Sequence, residues 1–434
     1  MSGPVRRARR RLGVGEWIRI DFHGSERFEV KTLDSVAGWD PAQGGLPPFD
    51  ITPRTRIVFG NGAVNQLGAI LASSSLRRIL LVTDPGIQAA GHAARVHGIL
   101  CQEGRESAVF AGVRENPDTD CVDACLAVAR AFCPDVLVGL GGGSSMDTAK
   151  GCNFLLTNGG RMQDYWGVGK AAKPMLPFLA IPTTAGTGSE CQSAALIADA
   201  ATHQKMACLD PKAAAAVAIL DPELTVSQPS GVTACTGIDA VAHAVETAVT
   251  TKRNSISEMY SREAFRLLAP SLPEVMANPA NLEVRGRMLL GAALAGTAIE
   301  HSMLGAAHSA ANPLTARHGV IHGVAVGLML PHVVRFNAAN PTARAAYSEL
   351  ASGRAMPMGQ DGSAGDGVES LVHRLLGLLE AAGIPRSLAD LGVEAAHVPG
   401  LAREAGQQWT ARFNPVPIGV PDFERLYLAA LDGH

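Results

Sequence analysis

The sequence predicts an α/β part with a mostly parallel sheet, followed by an all-helical part. Two observations support this prediction. Between residues 51 and 229, short apolar runs typical of buried strands alternate with segments of helical periodicity, as in a parallel sheet covered by helices on both faces. After Pro229 the strand-like runs stop, and helical periodicity dominates the rest of the chain.

The individual elements follow from the same patterns. In the first part, Arg78–Thr83 ends in the turn signal Asp-Pro-Gly, and Thr119–Phe132 has helical spacing. The predicted strands are Arg78–Thr83, Ser107–Phe110, Asp135–Leu140, Pro177–Ile181, Ala194–Ile197 and Val217–Leu220. The predicted helices of the second part are Thr233–Thr250, Ser257–Val275, Val284–Ala307, Val320–Phe336, Gly367–Ala382 and Pro421–Leu431.

These patterns divide the chain, whose 434 residues favour two or three domains at roughly 150 residues each. We predict an N-terminal extension over 1–50, an α/β domain over 51–229 and a helical domain over 230–434. A cleft between two such domains is a common place for an active site. For the Arg-rich extension a solvated segment is favoured, while an organellar targeting segment, and an edge strand or oligomer arm built from Trp17–Phe22, stay open.

The composition excludes several classes of protein. With 47% apolar residues the chain can bury a large core, which excludes wholesale disorder. A net charge of -3 argues against a nucleic-acid or membrane-surface protein. No apolar run reaches the roughly 18 residues of a spanning helix, and no secretory signal is recognisable. The eight cysteines form no CxxC pair, so we predict reduced thiols in a cytoplasmic protein.

Two loops that follow predicted strands have the chemistry of a nucleotide site. Gly141-Gly142-Gly143 lies between a buried strand and a helix, where glycines let backbone N–H groups approach an anion and the helix dipole favours a pyrophosphate. The loop Pro182–Glu190 offers threonine and serine hydroxyls around two glycines. Asp84 follows an earlier strand, where an acid binds the ribose of NAD, although the same residues also make an ordinary turn. Together the loops predict dinucleotide binding.

The helical part contains a candidate metal site. Asp239 and His243 are four residues apart, so they share one helix face, and His308 and His322 lie in later segments. One carboxylate and three imidazoles suit Fe(II) or Zn(II) and would form a catalytic site. Spacing alone leaves another interpretation open, because a helical Asp/His pair is more often a surface hydrogen bond.

Four segments together resemble the iron-containing (group III) metal-dependent alcohol dehydrogenase family. They are Gly141–Lys150, Pro182–Glu190, Asp221–His243 and His308–His332, within a similarity that spans about residues 51–340. The resemblance implies an α/β dinucleotide-binding domain with a mostly parallel sheet, followed by an all-helical metal-binding domain. It also implies an enzyme that interconverts an alcohol and an aldehyde or ketone by hydride transfer with NAD.

The resemblance assigns roles to individual residues. The implied metal ligands are Asp239, His243, His308 and His322, holding Fe(II) with Zn(II) as the alternative. The implied cofactor residues are Asp84, which favours NAD over NADP, and Asn116, Gly142, Gly143, Ser144, Asp147, Thr183, Thr184, Thr187 and Lys205.

One position departs from the family pattern. Many members have a proton-relay histidine four residues after the third ligand, where this chain has Asn312. Asparagine forms hydrogen bonds but does not exchange a proton near pH 7, so either water completes the relay or another histidine does, with His318 as the nearest candidate.

Three alternative functions are a hydroxyacid–oxoacid transhydrogenase, a lyase of the dehydroquinate-synthase type and a non-catalytic NAD-binding protein. The lyase is disfavoured because the ligand segments lack the basic residues that its anionic substrate needs. The expected partners are a small alcohol or aldehyde and a second copy of the chain in a homodimer, with no nucleic acid and no membrane.

Overall fold

The strands of the protein form two sheets. The computed structural model describes residues 49–72, 74–202, 204–353 and 366–433, so nearly all of the predicted extension, with Trp17–Phe22, lies outside the described residues. The strands are β1 Arg56–Phe59, β2 Arg78–Val82, β3 Glu106–Phe110, β4 Val136–Gly141, β5 Gly167–Val168, β6 Phe178–Pro182, β7 Ala194–Ala198, β8 Lys205–Leu209 and β9 Val217–Leu220.

The main sheet has six strands in the order β1-β9-β6-β4-β2-β3, and all of its pairs are parallel. This confirms the predicted parallel sheet. The strand predicted at Ala194–Ile197 exists as β7, but it belongs to a second sheet of order β5-β8-β7, in which β7 and β8 are antiparallel. The predicted strands did not include β1, β5 and β8.

The helices are α1 Leu67–Ala72, α2 Pro85–Ala89, α3 His92–Gln102, α4 Thr119–Phe132, α5 Gly143–Asn158, α6 Ser230–Thr247, α7 Ser255–Ala277, α8 Leu282–Ser302, α9 Ala306–His318, α10 His322–Asn337, α11 Pro341–Ser352, α12 Asp366–Ala381, α13 Val398–Gln407 and α14 Val420–Asp432. All described strands precede α6, which confirms the α/β part followed by a helical part.

One predicted helix is wrong in extent. The segment Val284–Ala307 forms two helices, because α8 ends at Ser302 and α9 begins only at Ala306. Between them Met303 has a φ of 69°, a left-handed conformation that a continuing helix does not allow. The break matters for the site, because it lets α9 start in a new direction two residues before His308.

Both faces of the main sheet are covered. In β2, Leu80 and Val82 pack into one apolar cluster and Ile79 and Leu81 into another, as expected when successive side chains point to opposite faces of a buried parallel strand. The helices from α6 onward form most of a third cluster, and the described residues from 49 onward make one compact unit.

The strand order determines where the loops meet. The carboxyl ends of parallel strands lie at one edge of a sheet, and β4 lies beside β2 on the side opposite β3. Such a reversal of strand order opens a crevice between the following loops, which is where α/β sheets bind ligands. The loops in question are those after β2 and β4, with the loop after β6 next to them.

Among the described residues, no helix combines the length and the apolar character that crossing a membrane requires.

Candidate active site

The glycine turn Gly141-Gly142-Gly143 at the end of β4 lies against the segment Pro182–Glu190 at the end of β6, which we call the threonine loop. A Cβ atom built on Gly143 would lie 2.8 Å from Thr187 Oγ1, and one on Gly142 would lie 3.3 Å from Thr184 Cγ2. The backbone N–H of Thr183 donates to the carbonyl oxygen of Gly141 at 2.9 Å. A side chain on Gly143 would therefore collide with Thr187, and one on Gly142 would crowd Thr184, so glycine lets the two loops pack closely.

Asp84 lies beside this turn. Its carboxylate accepts a hydrogen bond from Ile87 N at 3.0 Å and so caps α2. Its other oxygen is 3.2 Å from the position of a Cβ on Gly141, whose φ of 147° favours glycine. Asp84 is therefore a turn residue that lies beside the glycine turn, and its role in binding the ribose stays a prediction.

Polar groups around the turn are left for a ligand. The buried hydroxyls of Ser145 and Thr183 have no hydrogen-bond partner within the described chain, and such groups normally find one. Ser144 lies in the first turn of α5, where N–H groups attract an anion. Asn116 is exposed, with a φ of 50°, in the loop after β3 at the same edge of the sheet. These residues fit a dinucleotide.

Lys150 is on α5 and forms hydrogen bonds with the threonine loop and the residues that follow it. Its fully buried Nζ has three N–H donors and lies within hydrogen-bonding distance of four acceptors, Ser189 O at 2.7 Å, Ser189 Oγ at 2.9 Å, Gln192 O at 2.8 Å and Ala194 O at 3.0 Å. The Ser189 hydroxyl in turn donates to Asp147 Oδ1 at 3.0 Å. Burial raises the pKa of Asp147, and the Lys150 charge opposes this. Asp147 therefore stabilises the threonine loop through Ser189, in addition to the cofactor-binding role that the resemblance implies.

The candidate metal ligands come from three helices. Asp239 and His243 are on α6, His308 is in the first turn of α9, and His322 begins α10. Asp239 Oδ1 lies 3.4 Å from His243 Nε2, 3.4 Å from His308 Nε2 and 3.9 Å from His322 Nε2. The ligand atoms of Asp239, His308 and His322 all lie within 4.8 Å of one another, and His243 approaches this group through the same carboxylate oxygen.

The donor atoms fit a cation. Asp239 Oδ1 and His308 Nε2 are buried, and neither has a hydrogen-bond partner within the described part of the chain. Burying a carboxylate oxygen costs free energy unless the oxygen is hydrogen-bonded, ion-paired or bound to a metal. The rings of His243 and His308 are stacked, with centroids 4.8 Å apart. Asp239 Oδ1 with the imidazole nitrogens of His308 and His322, and with His243 Nε2 3.4 Å from the same oxygen, forms a donor set for Fe(II) or Zn(II).

The pKa values of the cluster reflect burial and mutual charge. Burial would raise the pKa of Asp239, but His243, His308 and His322 hold it well below its usual range. Burial lowers the pKa of His322 to about 3 and also lowers that of His243. For His308 the effect of burial is outweighed by Glu246 and Asp239, which raise its pKa to about 9.

A close backbone contact brings α10 to α6. A Cβ on Gly323 would lie only 2.0 Å from the carbonyl oxygen of Cys235, which precedes Asp239 by one helical turn. Glycine therefore lets α10 approach α6 closely enough for His322, the neighbour of Gly323, to reach Asp239.

A second close contact connects the nucleotide loop to the metal cluster. A Cβ on Gly186 would lie 2.5 Å from Thr236 Cβ, and Thr236 precedes Asp239 by three residues on α6. The loop expected to bind the nucleotide thus touches the helix that carries two candidate ligands. Both halves of the candidate site belong to one cleft.

The structure also shows the surroundings of three other candidate residues, Lys205, Asn312 and His318. Lys205 begins β8 and is affected electrostatically by Asp147 and Asp239, which oppose the lowering of its pKa by burial. Asn312 Nδ2 donates to Gln408 Oε1 at 3.0 Å. His318 ends α9, with its ring centroid 4.7 Å from that of the exposed His397. Ten residues separate it from His308, about 15 Å along a helix. The relay role of His318 stays a prediction.

Sequence reasoning missed one residue of the site. Glu246 is buried on α6, and it accepts hydrogen bonds from His308 Nδ1 and from Ala307 N at 2.7 Å. Its position three residues after His243 was a usable signal, because it puts Glu246 on the ligand face of α6.

Comparison with known proteins identifies the family. Residues 53–222 match the model of the family described as iron-containing alcohol dehydrogenase, and residues 233–431 match the C-terminal model of the same family. The chain belongs to the iron-containing alcohol dehydrogenase family.

Individual relatives agree with this family membership. The chain is 34% identical over 388 residues to the NAD-dependent methanol dehydrogenase of Bacillus methanolicus, covering 88% of this chain and 99% of that protein. Among solved structures it is similar to 1,3-propanediol oxidoreductase, with a TM-score of 0.84, 31% identity and coverage of 89% and 100%. It is also similar to sulfoacetaldehyde reductase from Bifidobacterium kashiwanohense in complex with NAD+, with a TM-score of 0.79, 29% identity and coverage of 88% and 99%.

Family membership confirms the expected class of enzyme. This alcohol dehydrogenase family member is an oxidoreductase that acts on CH–OH groups. The similarity to named dehydrogenases and reductases favours this activity over the transhydrogenase, the lyase and the non-catalytic protein.

Proposed function

We propose that this chain oxidises a small primary or secondary alcohol, or reduces the corresponding carbonyl compound, with NAD and one divalent cation, Fe(II) before Zn(II). The observation that supports the proposal best is the convergence of three imidazole Nε2 atoms on Asp239 Oδ1. In addition, Gly186 contacts Thr236, so the loop expected to bind the nucleotide touches α6, the helix that carries Asp239.

Asp239, His243, His308 and His322 would hold the cation, and Asp239 would be its single anionic ligand. When bound, the cation supplies a Lewis acid that polarises the oxygen of the substrate. Bound NAD supplies the hydride acceptor. The chain itself would position the cation and the substrate, because the helices α6, α9 and α10 hold the donor atoms in fixed directions.

The nucleotide cradle would orient the cofactor. Without side chains on Gly142 and Gly143 their backbone would approach the pyrophosphate closely, while the first turn of α5 offers N–H groups with a favourable dipole. Asp84 would accept the ribose hydroxyls and repel a 2′-phosphate. Lys205 would contribute a positive charge near Asp147 and Asp239.

Several finer features belong to the same proposal. We infer a division of function at residue 230, with the nucleotide bound by 51–229 and the cation by 230–434. A cytoplasmic homodimer is our expectation for the assembled enzyme. For the substrate proton we retain Asn312 with water, or His318, as the candidates.

Elemental analysis of anaerobically purified protein tests the proposal directly. We expect about one iron or zinc ion per chain and metal-dependent oxidation of NADH with short aldehydes. His308→Ala should lose metal and activity together, whereas His373→Ala, at an exposed histidine of α12, should keep both. Full metal content and full turnover in His308→Ala would contradict the assignment. Activity between two substrates without added NAD would instead favour the transhydrogenase.

A further inference from the structure

Glu246 is a buried carboxylate on the ligand face of α6, and only 3% of its surface is exposed. It follows Asp239 by seven residues and His243 by three, so all three side chains repeat along one face of the helix. Burying a carboxylate is costly unless its oxygens are hydrogen-bonded or paired with charge. The partners of Glu246 therefore indicate what it does.

Each oxygen of Glu246 has a partner on α9. Oε2 accepts a hydrogen bond from His308 Nδ1, and Oε1 accepts one from the backbone N–H of Ala307 at 2.7 Å. A carboxylate oxygen only accepts, so the proton between Glu246 and His308 belongs to Nδ1. In a neutral imidazole this leaves the lone pair on Nε2, the atom 3.4 Å from Asp239 Oδ1.

The same carboxylate completes the start of α9. The N-cap residue Gly305 has no side chain that could cap the helix. A Cβ on Gly305 would lie 3.1 Å from Glu246 Oε1 and 3.2 Å from Asn414 Oδ1, which itself accepts from Ala306 N at 3.4 Å. Side chains from two distant segments thus take the place of an N-cap, and one of them joins α9 to α6.

We propose that Glu246 is a positioning residue for the metal centre, which orients His308 as an Nε2 ligand and supplies a second buried negative charge. The inference rests on the proposed metal site. With Asp239 and Glu246 ionised and three neutral imidazoles, the charges of protein and divalent cation sum to zero. Such partners behind a ligating histidine fix its tautomer and ring orientation, and their loss typically costs 10–100-fold in metal affinity.

Glu246→Gln separates orientation from helix capping. The glutamine carbonyl can still accept from Ala307 N, but its NH2 group would face His308 Nδ1 as a donor. His308 must then move its proton to Nε2 or turn away, and either change removes a ligand lone pair. We expect Co2+ to bind Glu246→Gln about 10–100-fold more weakly than wild type in a titration of visible ligand-field absorption.

Asn414→Ala is the matched control, because it removes a capping acceptor from α9 without touching His308. It should lower the stability of the metal-free protein and leave the Co2+ affinity unchanged. If Glu246→Gln binds Co2+ like wild type, or if both variants weaken binding equally, the inference about Glu246 is overturned.

His308→Ala distinguishes this failure from failure of the proposed function. If His308→Ala loses Co2+ while Glu246→Gln does not, the metal site stands and only the role of Glu246 is wrong. If wild type and His308→Ala bind Co2+ alike, the metal site itself is wrong, and the inference is overturned with it.

Discussion

Gly188 and Gly296 approach each other so closely that neither position has room for a side chain. A Cβ on Gly296 would lie 2.3 Å from the carbonyl oxygen of Gly188, and one on Gly188 would lie 2.5 Å from Gly296 Cα. Gly188 belongs to the threonine loop and also has a φ of 62°, whereas Gly296 is inside α8. The nucleotide part and the helical part are thus packed backbone to backbone beside the cleft.

Gly296→Ala should therefore disturb both stability and nucleotide binding. The added methyl group meets backbone, which cannot rotate away, so we expect a loss of roughly 1–3 kcal/mol in the free energy of unfolding. Because the threonine loop must move, the Kd for NADH should rise. Gly377→Ala is a suitable control, since a Cβ there meets nothing within 4 Å on helix α12. Urea denaturation and NADH fluorescence measure the two effects, and equal behaviour of both variants would refute the prediction.

Gly323→Ala should act on the metal centre instead. Its Cβ would overlap the carbonyl oxygen of Cys235 and push α10 away from α6, so His322 would move away from Asp239. We expect reduced metal content after anaerobic purification, with the nucleotide Kd less affected than in Gly296→Ala. A Gly323→Ala protein with a full complement of metal would show that this contact does not position His322.

Asp84→Asn tests the choice of cofactor. Asparagine is as good an N-cap as aspartate, so α2 should remain capped, while the negative charge that repels a 2′-phosphate is lost. We expect the preference for NAD over NADP, measured as a ratio of kcat/KM values, to fall by about tenfold, or roughly 1.4 kcal/mol. Asp118→Asn makes the same substitution at the N-cap of α4 and should leave the ratio unchanged. An unaltered preference in Asp84→Asn would place the discrimination elsewhere.

Glu190→Gln tests a pH-dependent cost of burial. Burial raises the pKa of Glu190 from 4.5 to about 7, although Lys150 opposes the shift, and its Oε1 has no hydrogen-bond partner among the described residues. Because the folded protein favours the neutral acid, this group destabilises the fold increasingly as pH rises from about 4.5 to about 7.

The variant should therefore gain stability over wild type across that window by on the order of 3 kcal/mol, and the gain should level off at higher pH. Urea denaturation at pH 5 and pH 8 measures it, with the exposed Glu103→Gln as the control. A difference between Glu190→Gln and wild type that is the same at both pH values would contradict the argument.

The periodicity of the sequence was enough to predict the larger elements, because strands such as β4 are continuous apolar runs and helices such as α4 have a clear apolar face. It was not enough for β1 and β8. β1 is mostly exposed, and β8 begins with the charged Lys205, so neither is a continuous buried apolar run. The break between α8 and α9 was missed because Met303 adopts a positive φ that its residue type does not signal.

The prediction of the candidate site from the sequence has a similar limit. The motifs were enough to expect Asp239, His243, His308 and His322 as a group, and the structure brings their donor atoms to one carboxylate oxygen. The contacts that make this possible join segments far apart in the chain, as Gly323 with Cys235 does. A glycine gives no sign in the sequence of which backbone it will approach, so such contacts become visible only in the folded chain.

The hydrogen bonds between Lys150 and the threonine loop have a consequence for the kinetics of cofactor binding. They shape the threonine loop from inside the protein, so much of the entropic cost of ordering that loop is met when the chain folds. The pocket is preorganised, and association should need no slow closing step at this loop. NADH uptake in a stopped-flow experiment should accordingly show one phase whose rate rises linearly with nucleotide concentration.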